Sequence, residues 1–220
     1  MKRITIIAGH YGSGKSEISV NLAIDKKIDY IVDLDIINPY FRSRGLQDLF
    51  DEKGIHLVES TVKGMLNSDM PYVSGEGRVP FVNKDITAIY DLGGTEHGAK
   101  ILIQFSEFIT DVDEIDFLVA LNTFRPETAT TKDILHTITL LEAQTQLNVT
   151  GLINNTNLIN ETTEQDVIDG EKVLLEVAEK LQVPIMYTVV EEHKDFTYPF
   201  IGERINLIRY VAKKWTLGGK

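Results

Sequence analysis

The sequence predicts an α/β fold in which a mostly parallel central sheet is covered by helices on both faces. Three observations lead there. Short apolar runs of Val, Ile, Leu and Tyr alternate along the chain with segments of helical period. The runs are continuously apolar, as strands buried on both faces require, instead of alternating as one-faced strands do. A chain of 220 residues suffices to bury the core of one such domain, and no Gly-, Ser- or Pro-rich linker divides it.

Taken in order, the first strand spans about residues 3–8, carried by Ile4-Thr5-Ile6-Ile7-Ala8, and stops at Gly9, too short for a secretory h-region. A helix follows from Glu17 to Ile24. A second strand at about 29–34 closes on Asp33-Leu34-Asp35. Residues 60–85 break every period, because Gly64, Pro71, Gly75, Gly77 and Pro80 interrupt them. They read as an irregular excursion from a single domain covering 1–220. A strand at about 86–90 then runs into Asp91-Leu92-Gly93-Gly94, and Ile101, Leu102, Phe105, Phe108 and Ile109 have helical spacing.

Further strands are predicted at about 116–121, 149–154 and 184–189. Ile134, Leu135, Ile138 and Leu141 mark one helix between them, and Val167, Leu174, Ala178 and Leu181 mark another, which Pro184 stops. The stretch Arg204 to Trp215 is basic, and Leu207, Ile208, Val211 and Trp215 share one helical stripe. A terminal helix covering the sheet is expected there, with a membrane grip the less favoured alternative.

Composition excludes several functions. Lys and Arg number 22 against 33 Asp and Glu, a formal charge of −11, which opposes broad binding to nucleic acid backbone. The absence of Cys removes disulfides, thiolate metal sites and cysteine nucleophiles. The five histidines form no i, i+3 or i, i+4 pair on a helix, so they give no support to a transition-metal site. No run approaches the roughly 20 apolar residues of a membrane span, and a cytoplasmic location is expected.

The chemistry is concentrated after the first strand. Gly9-His10-Tyr11-Gly12-Ser13-Gly14-Lys15-Ser16 satisfies G-x-x-x-x-G-K-[ST] between a strand and a helix, the context such a phosphate loop requires. Gly9, Gly12, Ser13, Gly14, Lys15, Ser16 and Glu17 form the expected nucleotide-binding set. Backbone N–H groups and the helix end would cradle phosphates, and Lys15 would bridge the terminal ones. The Ser16 hydroxyl is placed to ligate Mg2+. Asp33, Asp35 and Asp91 end apolar strands beside this loop, where parallel sheets handle metal and nucleophile.

These residues resemble the SIMIBI class of phosphate-loop NTPases, in its MinD/ParA/ArsA-like and BioD-like branch. The resemblance rests on the full loop, Asp33-Leu34-Asp35, Asp91-Leu92-Gly93-Gly94 and Gly151-Leu152-Ile153-Asn154-Asn155. It implies a three-layer phosphate-loop fold with ATP and Mg2+ as cofactors. Asp35 would position the attacking water, Asp33 would support the magnesium shell, and Asp91 would hold the metal through water. Gly93 or Gly94 would offer an N–H to the γ-phosphate, and either Asn154 or Asn155 would meet the adenine. Members that pair across their nucleotides carry a signature lysine where this chain has His10, so a lysine finger from a second subunit is not available at that position. A homodimer stays among the assemblies the resemblance allows.

Guanine recognition by N-K-x-D is not apparent, since Asn83-Lys84-Asp85-Ile86 has the wrong spacing and precedes the Asp91 strand. ATP is the expected nucleotide. Tyr40, Arg42 and Arg44 follow the Asp35 strand end, and Arg125 lies in another loop on the same rim. All four are candidates for contacting a substrate or partner, since guanidinium forks match phosphate oxygens in pairs. The expected function is a Mg-ATP-binding ATPase acting as a nucleotide-dependent switch for an unknown protein partner. Two alternatives stand beside it: a kinase or ATP-dependent ligase with an anionic small-molecule acceptor near Arg42 and Arg44, and a nucleotide-gated module with negligible turnover.

Overall fold

The first apolar run becomes strand β1 (Ile4–Ala8), in which every residue is buried. The computed structural model describes residues 1–35, 44–59, 74–94 and 100–211. Within them, β2 (Tyr30–Leu34), β3 (His56–Val58), β4 (Ala88–Leu92), β5 (Ile115–Leu121), β6 (Gly151–Asn154), β7 (Ile185–Glu191) and β8 (Glu203–Leu207) join β1 in one sheet. Its order is β3-β2-β4-β1-β5-β6-β7-β8, and every neighbouring pair is parallel.

Period-two side-chain alternation sorts each strand between two cores. Ile4, Ile6 and Ala8 of β1 and Ile115, Phe117, Val119 and Leu121 of β5 face one side, with Ile134 and Ile138 of α4 (Thr131–Thr145) and Leu174 and Val177 of α5 (Glu164–Leu181). Ile7, Ile89 and Leu118 face the other, with Ile18 and Leu22 of α1 (Lys15–Asp25) and Leu46 and Phe50 of α2 (Arg44–Lys53). The result is three layers. Because β1 leads into α1 on one face while β5 leads into α4 on the other, a crevice opens at the carboxyl end of β1, where open α/β sheets bind ligands.

Several expectations are corrected. The sheet is wholly parallel and has eight strands among the described residues, not six. β3 went unforeseen because it is a three-residue edge strand with exposed His56. The expected helix from Arg204 is a strand as far as Leu207: Ile205 and Leu207 are buried while Glu203, Arg204 and Asn206 are exposed, the alternation of an edge strand covering β7. Residues 212–215 of that stretch, and 60–73 of the excursion, lie outside the described residues. Beyond Ile101 the expected helix tightens into a 3-10 turn, Leu102–Phe108, whose i, i+3 geometry buries Leu102 and Phe105 together. Among the described residues, no helix is long and apolar enough to cross a membrane.

The end of the excursion is anchored on the Asp91 strand. α3 (Val79–Val82) buries Phe81, which stacks on Tyr90 at 4.8 Å between ring centroids. The Tyr90 hydroxyl, fully buried, donates to the Gly77 carbonyl at 2.8 Å. Tyr90→Phe leaves that carbonyl without its donor, and chemical denaturation is expected to show a loss of about 1–2 kcal/mol with an unchanged denaturant slope.

Candidate functional site

Four chain segments converge at the carboxyl ends of β1, β2, β4 and β6. The loop after β1 turns into α1 through Gly14, whose φ of 83° is left-handed and favours glycine. A side chain there would also collide with the Asn155 amide, 2.2 Å from where its Cβ would sit. That amide donates to the Ser13 carbonyl at 2.7 Å, so the end of β6 braces the loop from beside it.

Lys15 is buried, and its Nζ lies 3.4 Å from the Asp35 carboxylate just past β2. Ser16 donates to Asp91 Oδ2 at 2.5 Å, and Ser19 reaches the other oxygen at 3.5 Å. The β2–β4 register sets Asp33 directly opposite Asp91. Asp33 Oδ1 accepts the Asp35 N–H at 2.9 Å, which fixes the backbone where it leaves the strand. The three carboxylates predicted from sequence are thus together, all buried, around one lysine and one serine. Burial pushes the Asp91 carboxyl up to about 6, with Lys15 and the Ser16 hydroxyl pulling the other way and the Asp35 charge adding to the rise.

These residues fit a phosphate ligand and a hard divalent cation. The Ser13 hydroxyl is buried in the loop and has no hydrogen-bond partner among the described residues. Ser16 and Asp91 supply only oxygen donors, as Mg2+ prefers, and they are too few to enclose it without phosphate oxygens. Among the described residues no group of three or more His, Asp or Glu could hold a metal alone.

The remaining candidates fall out differently. Gly94 packs on the phosphate loop: a Cβ there would sit 2.7 Å from the Gly9 carbonyl oxygen and 2.8 Å from the Tyr11 nitrogen, so only glycine lets the two backbones meet. Gly93 is buried beside it. Asn154, proposed for the base, instead donates to the Val167 carbonyl and accepts from Thr156 N–H while fully buried. It holds α5 to the sheet, leaving Asn155 as the amide at the loop. Glu17 is also reassigned: its carboxylate accepts the Tyr210 and Val211 N–H groups at 3.0 Å and so ties the chain beyond β8 to α1. Arg44 opens α2, while Tyr40 and Arg42 lie outside the described residues.

One rim candidate gains a definite place, and one feature was not read from sequence. Arg125 comes to rest over Gly12 of the phosphate loop. A cleft of about 420 Å3 opens beside Gly9, His10 and Gly94, walled by Glu127, His136 and Leu140. His10 Nδ1 stands 3.6 Å from the Glu127 carboxylate at its mouth. Sequence offers no periodicity that would pair a residue after β5 with one after β1; only the strand order does.

No family model matches the sequence, and no curated protein sequence matches it. Solved structures share its fold. Cell division protein FtsY from Thermotoga maritima aligns at 17% identity and a TM-score of 0.53, over 90% of this chain and 64% of that one. Chloroplast FtsY from Physcomitrella patens aligns at 16% and 0.55, over 94% and 60%. The signal recognition particle receptor FtsY from Elizabethkingia anophelis, in complex with GDP, aligns at 16% and 0.52, over 95% and 61%. The chain thus spans 60 to 64% of the length of these structures. The likeness shows the fold, a parallel sheet between two helical layers shared with these FtsY structures, and it does not single out the MinD/ParA branch.

The raised Asp91 carboxyl has a measurable consequence in the nucleotide-free protein. A folded-state value above the unfolded one means that its stabilisation is fully present below the unfolded value of about 3.8 and is lost as pH rises through about 6. At neutral pH this amounts to about 3 kcal/mol, taking about 1.4 kcal/mol per tenfold in proton affinity. Asp91→Asn is expected to raise the Tm at pH 7.5, with its advantage over wild type shrinking toward pH 4 in thermal scans across that range.

Proposed function

We propose that the chain binds a nucleoside triphosphate with Mg2+ and hydrolyses it as a nucleotide-dependent switch. The observation that carries this reading is the convergence on one loop of Lys15 with Asp35 at 3.4 Å and Ser16 with Asp91 at 2.5 Å. Catalysis would be mainly positioning and charge neutralisation. The loop amides and Lys15 hold the phosphates, and Asp35 orients the attacking water through its second oxygen. Ser16 and Asp91, with Asp33 behind them, would hold a magnesium ion, which supplies positive charge against the phosphate oxygens when bound.

The base we assign is adenine. The segment Asn155-Thr156-Asn157-Leu158 that follows β6 carries no carboxylate, the acceptor that would take the N1–H and amino group of guanine together. The FtsY of Elizabethkingia anophelis holds GDP, so a clear preference for GTP in turnover would replace this assignment.

A second reading is phosphoryl transfer to a small acceptor. The cleft beside His10 and Gly94 favours it, since that cleft opens on the loop itself. An acceptor there would raise nucleotide consumption well above the rate with water.

Magnesium-dependent turnover of ATP and GTP by the purified protein, with two variants beside it, tests the proposal. Lys15→Ala is expected to lower kcat/KM by on the order of 10² to 10³. Asp35→Asn should lower kcat by on the order of 10² and leave nucleotide affinity within a few fold. Wild-type turnover that persists in both variants would sink the assignment.

A further inference from the structure

We infer that Arg125 is a catalytic residue supplied within the same chain, whose guanidinium stabilises the charge that develops as the terminal phosphate leaves. This rests on the hydrolase reading above. The observation is positional: Nη2, Cζ and Nε of Arg125 lie 3.0, 3.1 and 3.2 Å from the point that a Cβ on Gly12 would occupy. The guanidinium therefore covers the crown of the phosphate loop, although it belongs to the loop after β5.

That loop is built to hold it there. Asn122 is buried, and its side chain accepts the N–H groups of Phe124 and Asn157 and donates to the Asn157 carbonyl. Its carbonyl oxygen accepts the Arg125 N–H at 2.9 Å and the Thr128 hydroxyl at 2.7 Å. Arg125 thus projects from a pinned turn, and its own backbone carbonyl accepts the Thr128 N–H. The turn thus fixes where the arginine starts from, so only side-chain freedom is lost in bringing its guanidinium to a ligand.

Its electrostatics point to an anion. Among the described residues the Arg125 guanidinium has no ion pair and no hydrogen bond. Glu127, two residues further on in the same turn, is directed at His10 instead. Arg125 is exposed, and an exposed cation beside the positive end of α1 and Lys15, with no carboxylate of its own, is free to turn to a polyanion that enters the loop. Within Gly9 to Ser16 the only Lys or Arg is Lys15, so a second permanent positive charge at this loop comes from the β5 side.

In the step itself the oxygen of water bonds to the γ-phosphorus and the bond from phosphorus to the β–γ bridging oxygen breaks. The electron pair stays on the bridging oxygen of the diphosphate, and the proton of water leaves with the inorganic phosphate. Arg125 acts on the bridging oxygen, where negative charge grows, so its contribution appears in the transition state.

Steady-state turnover of Mg-ATP by wild type, Arg125→Ala and Arg125→Lys tests this, together with affinities for a non-hydrolysable triphosphate and for ADP with aluminium fluoride. Arg125→Ala is expected to lose on the order of 10³ in kcat and the added affinity that fluoroaluminate confers on ADP, while analogue affinity changes less than about threefold. Arg125→Lys should recover only part of the rate, because an ammonium lacks the planar fork. Turnover of Arg125→Ala within about threefold of wild type overturns the inference, as does a loss of analogue affinity equal to the loss of rate. A wild-type protein that binds ATP without turnover sinks the hydrolase reading and this inference together. An active wild type with an equally active Arg125→Ala sinks this inference alone.

Discussion

Buried carboxylates gathered around a buried lysine at the end of a glycine-rich loop are the arrangement on which the rest of this structure depends. Asp33, Asp35 and Asp91 are almost wholly removed from water, and so is Lys15. Such charges are tolerable only when each is held in geometry by partners that do not move. The all-parallel register supplies this. It sets Asp33 opposite Asp91 on neighbouring strands and brings β1, with its loop, between β4 and β5. Even so, Asp91 remains under-compensated, as its raised carboxyl shows. A group kept at a cost to the folded protein, in a cleft, beside a hydroxyl oxygen donor, belongs to a site and not to the core.

The loop is steadied by amides more than by charge. Asn155 holds the Ser13 carbonyl, Asn157 leans on Asn155 at 3.5 Å, and Asn122 joins Asn157 to the turn after β5. Three asparagines from two strand ends thus connect the phosphate loop to Arg125 through neutral hydrogen bonds. Neutral groups are the right choice here, since carboxylates in these places would repel phosphate and further lysines would compete with Lys15.

Much of this was legible in the sequence because it is local. The loop motif, the strand-ending pair Asp33 and Asp35, the strand-ending Asp91 and the glycine pair after it each declare themselves within eight residues. The layered fold follows from continuous apolar strands, and the helices α4 and α5 from their spacing. What escaped is relational. β8 hides its two-residue alternation at Ile205 and Leu207 under a helical stripe that begins at Leu207, and only an uncovered β7 edge decides between them. Asn154 and Asn155 are equivalent as letters. Their alternate directions on a strand end send one to the Val167 carbonyl and the other to the loop. Arg125 meets Gly12 only because β5 is the neighbour of β1, a fact of topology that no local pattern carries.

The placement of Glu17 shows how the site protects its own polarity. An acidic residue in the first turn of a helix is favourable to the helix dipole, yet one facing the loop would oppose any phosphate bound there. The structure satisfies both demands by turning the carboxylate onto the Tyr210 and Val211 N–H groups, while Asn21, one turn on, exchanges two hydrogen bonds with Ile208. Lys26 closes the far end of the same face through Glu203, at 2.6 Å. α1 is thereby fastened along its length to β8 and the chain that follows. The edge strand and the phosphate loop are held by one helix, so the C-terminal part of the sheet helps position Lys15 and Ser16 without approaching them.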